Sequence, residues 1–166
     1  MSRRDLLKTT GVATAGLLAG SATAQAKQKK SGDPFRYCLN MSTIGGQDLS
    51  VTEEVDVAGK AGYDAIEPWL GKLNDYKKNG GALKDLRKRI EDHGLTVESA
   101  IGFARWIFDD DAQRAKGLED ARRDMDLLAQ LGAKRIAAPP AGARGTVDPM
   151  AAAKRYRKLL EIGDEI

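Results

Sequence analysis

Apolar positions along this chain switch repeatedly between a helical spacing and short strand-like runs. Val51, Val55 and Ala58 fall three or four apart, on one face of a helix, and Ser50-Val51-Thr52-Glu53 has the form of a capping box that opens it. Leu83, Leu86 and Ile90 make a second such stripe, and Leu118, Ala121, Met125 and Leu128 a third. Asp109, Asp110 and Asp111 put negative charge where a helix dipole favours it. Asp148-Pro149 supplies an N-cap and a first-turn proline for a final helix. Between these stripes lie four compact runs that predict strands over residues 36–41, 63–68, 95–101 and 134–138, with Gly45-Gly46 in a loop after the first.

The runs repeat one grammar. Gly62, Gly94 and Gly132 each stop a helix, and a β-branched strand follows within four residues. Strand centres near Cys38, Ile66, Val97 and Ile136 lie about 30 to 40 residues apart, the spacing of consecutive βα units. A parallel α/β sheet is therefore expected. A dinucleotide-binding sheet needs Gly-x-Gly-x-x-Gly after its first strand, and Met41-Ser42-Thr43-Ile44-Gly45-Gly46-Gln47 lacks it. A closed (β/α)₈ barrel needs eight units and about 250 residues. Four units in 166 residues predict a barrel of TIM type with only about its first half present.

Charge follows position along the chain. Arg3 and Arg4 precede a charge-free stretch over residues 9–26, and Ala24 and Ala26 offer Ala-x-Ala cleavage sites. This reads as a leader of the twin-arginine (Tat) type, which exports folded proteins. The stretch holds Gly11, Gly16, Gly20 and four threonines, which make it too weakly apolar for a membrane anchor. Residues 1–26 are expected to be the signal, 27–35 a linker and 36–166 the folded domain. The membrane is then met only during export, and the destination is periplasmic or extracellular. The formal charge of +3 belongs to this end: without the leader and Lys27, Lys29 and Lys30, 21 basic residues face 23 acidic ones. That balance offers no concentrated basic face, so nucleic acid is not expected as a partner. Cys38 is the one cysteine, which leaves the domain to rest on its core without an intramolecular disulfide.

Three segments carry a resemblance. Ala61-Gly62-Tyr63-Asp64-Ala65-Ile66-Glu67-Pro68-Trp69 is similar to the second-strand motif of the xylose isomerase-like TIM barrels, which include sugar phosphate isomerases and epimerases and, more distantly, endonuclease IV-type enzymes. Gly94-Leu95-Thr96-Val97 leading to Ala100-Ile101-Gly102 resembles the third strand of that family, and residues 127–140 resemble the next unit. The resemblance implies a divalent-metal site that moves a proton or hydride between sugar carbons, or epimerises beside a carbonyl, with a sugar or small hydroxy-carbonyl substrate. It implies metal ligands (two Glu, one Asp, one His) on later strands, beyond Ile166, so none is assigned to a residue here. A chain with four units is expected to be inactive alone and could form a homo-oligomer. The alternatives are a noncatalytic exported sugar-binding or interaction module and an endonuclease IV-like phosphodiesterase.

Within the sequence, Glu67, Trp69, Arg105 and Trp106 are the candidate substrate-binding residues. Glu67 ends the second strand, on the side where barrels of this type carry their sites, and a sugar hydroxyl, a metal ligand from a later strand or a structural salt bridge are all open to it. Trp69, Phe103 and Trp106 could pack against the C–H face of a sugar or against neighbouring loops. Arg105 could pair with a substrate phosphate or carboxylate or face solvent. His93 falls at a helix end on the opposite side and reads as a C-cap interacting with the dipole. Cys38 reads as a small buried hydrophobe.

The leader reading carries its own test. Replacing Arg3 and Arg4 by Lys should abolish export, measured as loss of protein from the exported fraction; undiminished export would overturn it.

Overall fold

A computed structural model describes residues 34–143 and 145–166. The expected leader, with Arg3 and Arg4, and the linker up to residue 33 lie outside the described residues. Three parallel strands, β1 (Cys38–Asn40), β2 (Ala65–Glu67) and β3 (Thr96–Val97), form a sheet in chain order. Leu39 stands beside Ile66, and Ile66 beside Val97. All three are buried, facing a helical layer of α1 (Val51–Ala61), α2 (Leu70–Lys78), α3 (Leu83–Asp92) and α4 (Asp111–Gln130). Val55, Leu73, Leu86 and Leu128 close that apolar layer. A second cluster joins Trp106, Ile107 and Ala121 to Leu159 of α5 (Pro149–Asp164). No helix among the described residues is long and apolar enough to cross a membrane.

The local signals act as physics requires. The Ser50 hydroxyl accepts from Glu53 N while the Glu53 carboxylate accepts from Ser50 N, a reciprocal box that satisfies two free amides of the first turn. Asp110 and Asp148 cap α4 and α5 one way only, their carboxylates accepting from Gln113 N and Met150 N. Gly62, Gly94 and Gly132 sit at φ of +79°, +68° and +85°, a region costly for any residue with a Cβ. After each, two amides fold back on the last turn, as Tyr63 N does on Ala58 O and Gly62 N on Gly59 O. Each helix is thereby turned into the next strand.

Several expectations are corrected. Helix α2 (Leu70–Lys78) lies where the apolar spacing predicts no element. The expected Gly45-Gly46 loop lies within a 3₁₀ helix, Met41–Gln47. The fourth strand shrinks to one parallel bridge, Ile101 to Ala137, because Pro139 has no N–H with which to carry the ladder further. Cys38 is exposed: with Leu39 turned to the helices, its neighbours on the strand face the open side. Partial burial of its thiol, then the charges of Glu67 and Glu98, push its pKa up, which keeps it protonated and a poor nucleophile.

His93 is the C-cap of α3, as expected, and its partner is a side chain of the neighbouring helix. Its Nε2 lies 3.0 Å from Asp56 Oδ1 on α1. Arg89 clamps the same carboxylate at 2.7 and 2.5 Å. The ring lies flat on α1 because Gly59 has no side chain: a Cβ there would come 2.4 Å from His93 Nδ1.

Two stability tests follow from this packing. A Cβ at Gly117 of α4 would meet the Arg105 backbone at 2.6 Å, whereas one at Gly71 of α2 meets nothing within 4 Å. Chemical denaturation should show Gly117→Ala destabilised by about 1–3 kcal/mol and Gly71→Ala stabilised by up to about 1 kcal/mol. The hydrogen bonds from Arg89, then that from His93, hold the Asp56 carboxyl at about 2 against an ordinary 3.8. A carboxyl depressed on folding stabilises the fold above its unfolded value and loses that contribution as pH falls through its folded value. Acid titration should therefore show the wild type losing stability from about pH 4 towards pH 2 more steeply than Asp56→Asn.

Candidate functional site

Because Leu39, Ile66 and Val97 turn to the helices, the residues that follow them, Asn40, Glu67 and Glu98, line the opposite, open face at the C-terminal ends of their strands. Asn40 pairs with Glu67 in register, and its Nδ2 donates to Glu67 Oε2 at 2.6 Å. The amide is held in that orientation because Asn40 is also the N-cap of the 3₁₀ helix. Its Oδ1 accepts from Ser42 N at 2.9 Å and from the Ser42 hydroxyl at 2.5 Å, leaving the NH₂ to point at Glu67.

Glu98 follows β3, and its N–H donates to Ile66 O at 3.1 Å, which places it beside Glu67. Its carboxylate is committed elsewhere. Oε1 accepts from the Thr96 hydroxyl at 2.8 Å and pairs with Arg36 at 3.0 Å, and Oε2 accepts from Arg135 at 2.7 Å. The Thr96 bond, then the two arginine charges, hold the Glu98 carboxyl below the usual carboxylate range. Of the two neighbouring carboxylates, Glu98 is neutralised within the protein and Glu67 meets a neutral amide.

Trp69 follows Glu67 and Pro68 at the rim of the sheet. Its ring stacks on Phe103 with centroids 6.3 Å apart and planes 19° from parallel. Both stay open to solvent, at 40% and 55% exposure, where aromatic side chains ordinarily turn inward. Asn40, Glu67, Pro68, Trp69 and Ile101 line a shallow crevice between strand ends. A hydrogen-bonding pair below an exposed aromatic surface can hold a polyhydroxylated molecule by its hydroxyls and its C–H face together.

Of the four candidate residues, the structure brings Glu67 and Trp69 together and places the other two apart. Arg105 is exposed, its guanidinium 5.4 Å over the Phe108 ring, and lines a separate hollow with Asp109, Asp110 and Gly142. Trp106 is 5% exposed, donates its indole N–H to Pro139 O at 3.1 Å and packs against Tyr156. Asn40 and Glu98 were missed by the sequence reading. The signal available for them was position alone: a polar residue directly after the buried apolar residue of a strand.

The metal implied by the resemblance was tested against the side chains present. Among the described residues no group of three or more His, Cys, Asp or Glu could hold an ion. At the strand ends, both Glu98 oxygens are engaged by other groups. These residues do not fit a metal quartet.

A family model described as xylose isomerase-like TIM barrel matches residues 55–165. No curated protein sequence matches the chain. Among solved structures, the chain is similar to the IolI protein with a zinc atom bound, at 21% identity and a TM-score of 0.66, covering 78% of this chain and 47% of that one. It is similar to the probable 3-DHS dehydratase AsbF from Bacillus anthracis, at 19% identity and a TM-score of 0.66, covering 79% and 49%. D-psicose 3-epimerase in the presence of D-fructose is 18% identical with a TM-score of 0.60, again covering 79% and 49%. At these identities the likeness shows the fold. The chain spans about half the length of these structures.

Proposed function

Because the chain belongs to the xylose isomerase-like TIM barrel family, we propose that it supplies a substrate-binding wall for a sugar isomerase or epimerase. The observation that carries this reading is the solvent-open Trp69, stacked on Phe103, lining one crevice with the hydrogen-bonded Asn40 and Glu67. In the proposed complex a sugar lays its C–H face on Trp69. Glu67 accepts from one or two hydroxyls, and Asn40 shares its amide protons between Glu67 and a sugar oxygen. The Arg36–Glu98–Arg135 group keeps the adjacent carboxylate neutralised, so an uncharged sugar meets one free carboxylate in place of two.

The neighbours named as epimerases and the zinc-bound relative support sugar chemistry assisted by a divalent ion, and metal dependence of the whole catalyst is part of this proposal. We assign that step to groups other than the described residues. What this chain's own residues do is bind and orient. The twin-arginine start adds export in folded form to the same reading.

The test is direct titration of the purified chain with D-fructose and D-psicose, followed by calorimetry. Glu67→Gln should weaken binding by about tenfold or more, the worth of a hydrogen bond to a charged group. Trp69→Ala should weaken it by about three- to tenfold, and Arg105→Gln should leave it unchanged. With a divalent ion added, the chain alone should bind the ketoses without interconverting them. Absence of binding at millimolar sugar, or binding indifferent to Glu67→Gln, would refute the reading.

A further inference from the structure

Glu54 is the charged side chain that the fold buries completely among the described residues. One oxygen, Oε1, accepts from Lys72 Nζ at 2.5 Å, and the other, Oε2, has no hydrogen-bond partner in the structure. The same ammonium donates to the Leu49 carbonyl at 2.6 Å. A fully buried carboxylate with one oxygen unpartnered is a costly arrangement, and apolar residues of like volume often serve stability as well or better. Its use is better sought in what it joins.

Three pieces of chain meet at Lys72: the segment that leaves β1 and ends at Leu49, the first turns of α1 at Glu54, and the start of α2. The first piece carries Asn40 at its origin and the third carries Trp69. Trp69 is the N-cap residue of α2, yet no side chain caps that helix. The Trp69 carbonyl is held by Leu73 N at 3.1 Å, so the indole moves with the first turn of α2. That turn is anchored by burial of Leu70 and Leu73 and by the Lys72 ammonium. Leucines set depth in the core; an ammonium shared between the Glu54 carboxylate and the Leu49 carbonyl sets direction, because hydrogen-bond strength depends on distance and angle.

We propose that the Glu54–Lys72 pair is a positioning device for the crevice. It ties the segment after β1 to the start of α2 and so fixes the Trp69 ring in relation to the Asn40–Glu67 pair. Lys72 and Glu54 act through Trp69 and touch no ligand themselves. The consequence for sugar affinity rests on the function proposed above, whereas the effect on Trp69 does not.

The experiment uses the full chain labelled with 5-fluorotryptophan. Its two tryptophans, Trp69 and Trp106, give separate fluorine resonances, assigned through Trp69→Phe. In the double variant Glu54→Leu/Lys72→Met, which replaces the pair by apolar side chains, the Trp69 resonance should shift or broaden. The Trp106 resonance, from the other apolar cluster, should stay in place, and Lys72→Arg alone, which keeps a cation beside Glu54, should leave the Trp69 signal as in the wild type. Affinity for D-fructose should fall about three- to tenfold in the double variant, the worth of one misplaced aromatic contact. An unchanged Trp69 resonance in the folded double variant would overturn the proposal. So would a double variant that fails to fold, since the pair would then serve stability. If wild-type chain binds no D-fructose, the proposed function fails while the fluorine spectra still decide the role of the pair.

Discussion

Successive residues of a β-strand face opposite sides, and here that rule operates on strands of only two or three residues. With Leu39, Ile66 and Val97 buried under the helices, their successors must stand on the open face. One apolar layer thus does two things: it holds the sheet against α1, α3 and α4, and it presents Asn40, Glu67 and Glu98 in a row. A slip of one residue would turn Glu67, Glu98 or the Asn40 amide in among leucines. The cost of such a slip protects the register, and the register makes the site.

The open face departs from the usual filling of a parallel barrel, where layers of branched apolar side chains pack the interior. Arg36, Thr96, Glu98 and Arg135 form a polar network across it. This network treats the two neighbouring carboxylates differently. Glu98 is surrounded by cations and a hydroxyl, whereas Glu67 faces an amide and the aromatic rim. A site that would otherwise carry two adjacent negative charges thereby offers one to a ligand, beside a surface suited to C–H contacts. The buried Glu54, paired with Lys72, ties together the segments that carry Asn40 and Trp69.

Much of the framework was legible in the sequence because it rests on local chemistry. The Ser50 capping box, the aspartates at 110 and 148 and the three helix-stopping glycines act within a few residues of themselves, and all operate as expected. Helix α2 was not legible: Gly71 and Asn74 are weak helix formers, no side chain caps it, and only Leu70 and Leu73 are buried. The fourth strand was overestimated, since a β-branched run declares propensity while pairing depends on neighbours that are distant in sequence. Among the candidate residues, Glu67 stood out because it ends a strand, and Trp69 because it follows that strand at the same rim. Trp106 and Arg105 follow the third strand as Trp69 follows the second, but the loop after β3 turns one into a second core and the other onto Phe108. Asn40 and Glu98 gain their meaning from cross-strand pairing, which no local pattern displays.

The account stands on the C-terminal strand ends as a sugar-binding wall, and backbone amide NMR of the isotopically labelled chain titrated with D-fructose tests it most directly. It predicts shifts confined to the amides around Asn40, Glu67 to Trp69 and Gly102 to Phe103, with residues around His93 and Asp56, at the other end of the sheet, unmoved. Shifts centred on the His93 end, or on the hollow beside Arg105, would contradict it.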